Sequence, residues 1–178
     1  MSSYRHSDTP MKIQWKKRLL GGVLFAFLAL TVLILSSHTK TPNLTLTTLD
    51  GQSIELAHLR GKPVIVTFWA TDCESCLNEI PVFLELYSRY HSQGLEIIGI
   101  SMYYDPPNHV VEFNKQHALP YPVVLDIDAT IAKTFENTRV TPTTFLLTPN
   151  GEIGWKKIGL FELAQIQPKI DAFLNINK

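Results

Sequence analysis

The chain has 178 residues, 45% of them hydrophobic, which allows one domain of ordinary size plus a tail, with a core that need not rely on a disulfide. Its formal net charge is zero, and no basic patch marks a nucleic-acid binder. The zero conceals an asymmetry: residues 1–38 hold five of the sixteen Lys and Arg but one of the sixteen acidic residues, so they carry +4 and the rest of the chain −4.

Residues 1–18 form a basic N-terminal segment that ends in Lys16, Lys17 and Arg18. Seventeen uncharged residues follow, LLGGVLFAFLALTVLIL. As a helix they would cover about 26 Å, near the lower limit for a bilayer span, with Trp15, Ser36 and Ser37 at the interfaces. Residues 19–37 are therefore read as a transmembrane helix. The positive-inside rule places residues 1–18 in the cytoplasm and everything after 38 outside. A cleaved leader would look similar, but LILSSHTK lacks an A-x-A-like site and the apolar run exceeds the usual leader length, so an uncleaved signal anchor is the reading adopted. A buried soluble helix is the remaining alternative.

Residues 38–43 read as a polar linker and 44–178 as the folded domain. LTLTTLDGQSIEL alternates around Asp50-Gly51 and predicts a β-hairpin. Val64–Trp69 is a continuous β-branched and aromatic run, as in a central strand buried on both faces. Over 74–92, Leu77, Ile80, Phe83, Leu84, Leu86, Tyr87 and Tyr90 recur at helical spacing, with Gly94 as the residue that closes the helix. LEIIGISM predicts a second buried strand, PPNHVVEFNKQHA a helix with prolines at its start, YPVVLDID a short strand, and ATIAKTFE a short helix. TPTTFLLTPNGEIGWKKIG reads as two strands joined at Pro149-Asn150-Gly151. ELAQIQPKIDAFL closes the chain as a helix that Pro168 would bend. No internal repeat, low-complexity run or phosphate-binding loop is present.

Cys73 and Cys76, the only cysteines, fall at the junction between the first buried strand and the helix that follows. With Cys73 just before the helix and Cys76 in its first turn, the sulfurs come within bonding reach. The free N–H groups and positive dipole end favour a thiolate on Cys73. Cys73 would then attack a disulfide, and Cys76, one turn deeper, would resolve the mixed disulfide. Three other readings stay open at this point. They are a structural disulfide, although so small a loop removes little chain entropy; a zinc site, although no second C-x-x-C or H-x-x-x-H follows; and copper held by the two thiolates with Met102 or His109.

The strand VIVTFWATDCESC, the later VTPTTFLLTPNGEI and the order of elements between them resemble the thioredoxin superfamily, specifically its membrane-anchored TlpA-like and ResA-like thiol-disulfide oxidoreductases. The resemblance spans about residues 42–175. It implies a thioredoxin-like α/β fold, a central mixed sheet flanked by helices, with an N-terminal β-hairpin extension and a central helix insertion that contains MYYDPPNH. It also implies that Pro142 is cis and faces the cysteines, with Thr141 offering backbone groups to a substrate peptide, and that Trp69 either packs in the core or borders the substrate. Glu79 is implied to sit near the pair and to affect proton transfer. Thioredoxins have a buried acid where this chain has Thr67, so that role is free to pass to Glu79. His58, His91 and His117 read as surface residues.

Two acids, Asp72 and Glu74, flank Cys73 and work against the helix dipole, so the thiolate gains little stabilisation. That predicts a reductant rather than an oxidant that introduces disulfides. The expected protein is thus a single-pass membrane enzyme of the cell (inner) membrane, with its catalytic domain periplasmic or extracytoplasmic, that reduces disulfides of exported proteins. It would need no metal and no cofactor beyond the Cys73–Cys76 disulfide. The resemblance implies a membrane electron donor of the DsbD or CcdA type and clients such as apocytochrome c or copper-site cysteines of oxidases. Two rivals are kept. A Sco-like copper chaperone normally spaces its cysteines one residue further apart, and a peroxiredoxin-like peroxidase would require P-x-x-x-T-x-x-C, which PVIVTFWATDC does not supply.

Overall fold

A computed structural model describes residues 44–174. The basic segment 1–18, the anchor 19–37 and the linker 38–43 lie outside the described residues. No helix among the described residues is long and apolar enough to cross a membrane.

The hairpin forms where the alternation predicts it. β1 (Thr45–Thr47) pairs antiparallel with β2 (Ser53–Glu55), with Leu46 opposite Ile54. Gly51 takes φ +80° at the turn, a conformation that costs glycine nothing. A short 3₁₀ turn, Leu56–Leu59, follows and was not legible in the sequence. Thr48 bridges to Val124, so the hairpin is attached to the edge of the main sheet.

That sheet has five strands: β3 (Val64–Trp69), β4 (Glu96–Ser101), β5 (Val123–Leu125), β6 (Thr143–Leu147) and β7 (Ile153–Ile158). Their order is β5-β4-β3-β6-β7. β3 runs parallel to β4 and antiparallel to β6, which makes the sheet mixed. All six residues of β3 are buried, as its unbroken apolar run predicts. Alternate side chains of β3 enter different cores. Val64, Val66 and Phe68 join the hairpin side with Leu46 and Leu56, where the rings of Phe68, Phe135 and Phe145 meet at 5.3–5.9 Å. Ile65 and Trp69 point to the other face, under the long helices.

Four helices complete the domain: α1 (Glu74–Tyr90), α2 (Pro107–His117), α3 (Thr130–Thr134) and α4 (Leu163–Leu174). α1 ends through a 3₁₀ turn at Gly94, whose φ of +111° is the left-handed stop. α3 is started by the buried Asp126, whose two carboxylate oxygens accept the N–H groups of Ile131 and Ala132 at 2.9 and 2.8 Å. Pro81 and Pro168 both lie inside helices, and both are exposed.

One expectation needs correcting. The buried stripe of α1 is Cys76, Glu79, Phe83, Leu86 and Tyr90, while Leu77 and Ile80 are half-buried and Leu84 is exposed. A cysteine and a carboxylic acid thus share the buried face with Phe83, Leu86 and Tyr90, and Leu77 and Ile80 flank it, Leu77 against the cluster of Trp69 and Cys76 and Ile80 at the wall of the cavity below them.

Candidate active site

β3 ends at Trp69, and a short loop delivers Cys73 to the head of α1. Cys73 is the N-cap residue and half-buried, while Cys76 is 4% exposed. The two are joined as a disulfide, with Cα atoms 5.2 Å apart. The N–H of Cys76 donates to the Cys73 sulfur at 3.2 Å, and the Ser75 hydroxyl lies 3.5 Å from it. One unpaired donor of the helix end is therefore already directed at the sulfur that would carry the negative charge.

The loop before Cys73 is held from across the fold. Both the N–H and the hydroxyl of Thr71 donate to the carboxylate of Asp105, each at 2.7 Å, and Asp105 is buried. Nothing in the sequence marked Asp105, which stands 34 residues from its partner. Hydrogen bonds to a charged group contribute about 1.5–3 kcal/mol each. Because Thr71 is half-buried and regains water when the carboxylate is removed, Asp105→Ala is expected to lower stability by about 2–3 kcal/mol in urea unfolding, less than the sum of the two bonds, and Asp105→Asn by less still because one acceptor remains.

Thr141 and Pro142 are joined by a cis peptide bond, as the resemblance implied. Pro142 is buried, and its carbonyl accepts the N–H of Gly159 at 2.8 Å. The Thr141 hydroxyl is 3.2 Å from the hydroxyl of Tyr104.

Beneath the disulfide, Cys76, Glu79, Thr67, Trp69 and Tyr121 line one small cavity. Glu79 is 1% exposed. One of its oxygens accepts the N–H of Phe161 at 3.2 Å, and the other has no hydrogen-bond partner among the described residues. Burial pushes its pKa from 4.5 up to about 7, a rise that the bond from Phe161 only partly opposes. Burial likewise pushes the Tyr121 phenol up, and the Glu79 charge adds to that shift. Tyr121 gave no signal in the sequence. Thr67, at the position where thioredoxins carry an acid, instead exchanges a hydrogen bond of 3.0 Å with Thr144. The acid of this site thus stands on the helix rather than on the strand.

Trp69 was expected either in the core or bordering the substrate. Its ring is 6% exposed, walls the cavity and lies 5.2 Å from the ring of Phe113, while its carbonyl accepts the N–H of Met102 at 3.0 Å. Met102, considered as a copper ligand, packs in the hydrophobic cluster with Phe68, and His109 is exposed on α2. Among the described residues no group of three or more His, Cys, Asp or Glu side chains is placed to hold a metal ion. His58, His91 and His117 are exposed, the last two stacked on Tyr87 and Phe113.

The fold and the site together define a thioredoxin-like domain with a dithiol/disulfide centre at a helix N-terminus. Residues 38–156 match the AhpC/TSA family, and the chain belongs to it. The chain is 35% identical over 119 residues to the thiol-disulfide oxidoreductase ResA of Bacillus subtilis, covering 67% of this chain and 65% of that protein, slightly under two thirds of its length. It is 38% identical over 121 residues to ResA of Bacillus cereus, covering 67% and 68%. Among solved structures, a thiol:disulfide interchange protein of the thioredoxin family from Chlorobium tepidum superposes with a TM-score of 0.71 at 25% identity, covering 78% of this chain and 98% of that one.

Proposed function

We propose that the protein is a membrane-anchored thiol-disulfide oxidoreductase that reduces disulfides in exported proteins. The observation that carries this reading is the Cys73–Cys76 disulfide at the head of α1, set over a cavity it shares with a carboxyl that titrates near neutrality.

In the reduced form the Cys73 thiolate attacks one sulfur of a client disulfide. A mixed disulfide forms and the first client sulfur leaves as a thiolate, which takes up a proton. Cys76 then loses its proton to Glu79 and attacks the Cys73 sulfur. The intramolecular disulfide closes and the second client thiolate departs. Two electrons pass to the client and the pair ends oxidised. Thr141 and Pro142 position the client chain beside the sulfurs. The pair is the only redox group the reaction requires. It must be re-reduced by an outside dithiol, for which a membrane electron donor of the DsbD or CcdA type is the natural candidate; the basic segment and apolar run of residues 1–37 support a domain that lies across the membrane from cytoplasmic reductants. Apocytochrome c and oxidase copper-site cysteines suit such an enzyme as clients.

Two measurements on the full chain in cells test this. Acid quenching followed by alkylation is expected to find Cys73 and Cys76 mainly as thiols at steady state, and protease added outside the membrane is expected to remove the domain after residue 38. A pair found mainly oxidised would contradict the reductase assignment, and a domain protected from outside protease would contradict its placement.

A further inference from the structure

β4 ends in a turn that presents Tyr103 and Tyr104 to solvent. They are 49% and 45% exposed, with their rings in edge contact at 5.3 Å. Two neighbouring aromatic side chains left half in water forgo burial that a core would gain, and such surfaces mark interaction sites. The turn is held at both ends. On one side Met102 is buried in the core and its N–H donates to the carbonyl of Trp69. On the other, the Asp105 N–H closes onto the Met102 carbonyl at 2.9 Å, and its carboxylate grips Thr71. The tyrosines are therefore fixed to the same loop that delivers Cys73. Little entropy remains to be lost when a partner orders them.

The surface is continuous with the cysteine site. The Tyr104 hydroxyl meets that of Thr141, the residue before Pro142. Tyr103 lines an open depression of about 390 Å³ together with Ile127, Ala129, Ala132 and Arg139. Ile127 is 71% exposed, and Val140, next to Thr141, is 52% exposed. Its apolar side is formed by Tyr103, Ile127, Ala129 and Ala132, while Asp128, Lys133, Asn137, Thr138 and Arg139 make the rest of the wall polar and can hydrogen-bond a peptide backbone.

We propose that Tyr103 and Tyr104 form the floor of a client-docking surface that accepts an apolar side chain lying a few residues from the client's cysteine in an extended segment. This rests on the oxidoreductase reading above and adds a preference among protein clients. The occupant is a polypeptide because the surface starts at the site where a client chain must lie to reach Cys73, and an apolar side chain is what the exposed Tyr103, Tyr104, Ile127 and Val140 would desolvate favourably, the polar part of the depression being left to the client's backbone.

The test uses the full chain in detergent, reduced beforehand, and two peptides that each contain one internal disulfide and differ only in having Phe or Ser three residues from a cysteine. Oxidation of the chain is followed by tryptophan fluorescence. The wild-type chain is expected to react about tenfold faster with the Phe peptide, and this ratio is expected to fall toward one in Tyr103→Ala/Tyr104→Ala. Tyr104→Phe, which keeps the ring, is expected to retain most of the ratio. Equal rates for both peptides in the wild-type chain, or an undiminished ratio in the double variant, would overturn the proposal. So would concentration-dependent dimerisation of the wild-type chain that the double variant loses, because a second copy would then be the occupant. Reaction with neither peptide would instead overturn the oxidoreductase reading, and the docking surface with it.

Discussion

Cys73→Ser is expected to abolish reduction of disulfide substrates, a loss of about a thousandfold or more that is limited by assay background. Cys76→Ser is expected to behave differently: it should accept one substrate molecule and remain joined to it. The difference follows from placement. Cys73 caps the helix at the half-buried edge with the N–H of Cys76 directed at its sulfur, while Cys76 sits one turn inside at 4% exposure, shielded from a client. Non-reducing electrophoresis and mass spectrometry after incubation with a disulfide-containing peptide read both outcomes. A stable adduct with Cys73→Ser, or none with Cys76→Ser, would reverse the assigned roles.

Glu79→Gln is expected to produce the second large effect, in two separate readouts. A carboxyl whose pKa is raised from 4.5 to about 7 holds its proton more tightly in the folded chain than in the unfolded one. Between those values the unfolded chain releases its proton first, so this group makes stability fall as pH rises, by about 3 kcal/mol in all, with little further change above pH 7. The wild-type protein is expected to lose this amount between pH 4.5 and 8 in denaturant unfolding. Glu79→Gln should not show that loss, whatever fixed cost its amide adds at both ends. In single-turnover kinetics the same substitution is expected to slow closure of the Cys73–Cys76 disulfide about a hundredfold at pH 7 and to remove the inflection near that pH. An unchanged pH profile would show that Glu79 is a buried structural acid and takes no part in proton transfer.

The features legible in the sequence are those written in local patterns. The unbroken run Val64–Trp69 marked the central strand because burial on both faces removes any need for polar alternation. Asp50-Gly51 marked the hairpin, Gly94 the end of α1, and the two cysteines the strand-to-helix junction. Glu79 was legible only through the family resemblance. Apolar periodicity marked Phe83, Leu86 and Tyr90, which are buried, together with Leu77, Ile80 and Leu84, which are less so; it could not mark Cys76 and Glu79, which complete the buried face without being aliphatic or aromatic. Asp105 and Tyr121 were not legible at all. Their roles arise from contacts between segments distant in the chain, and locally Asp105 looks like an ordinary turn residue and Tyr121 like the start of a short strand. The tyrosines of MYYDPPNH were visible as aromatics, but only the pinned turn and the bond to Thr141 relate them to the cysteines.

The central claim is that the Cys73–Cys76 pair donates electrons. The measurement that tests it most directly is the reduction potential of that pair in the full chain, obtained by equilibration with dithiothreitol or glutathione buffers at pH 7, with Cys76→Ser as the control. Acids on both sides of Cys73 and a buried carboxyl beneath Cys76 disfavour the thiolates and so predict a value near or below that of thioredoxin, about −270 mV. A value near that of a disulfide-introducing oxidant, about −120 mV, would contradict the account and assign the protein to disulfide formation.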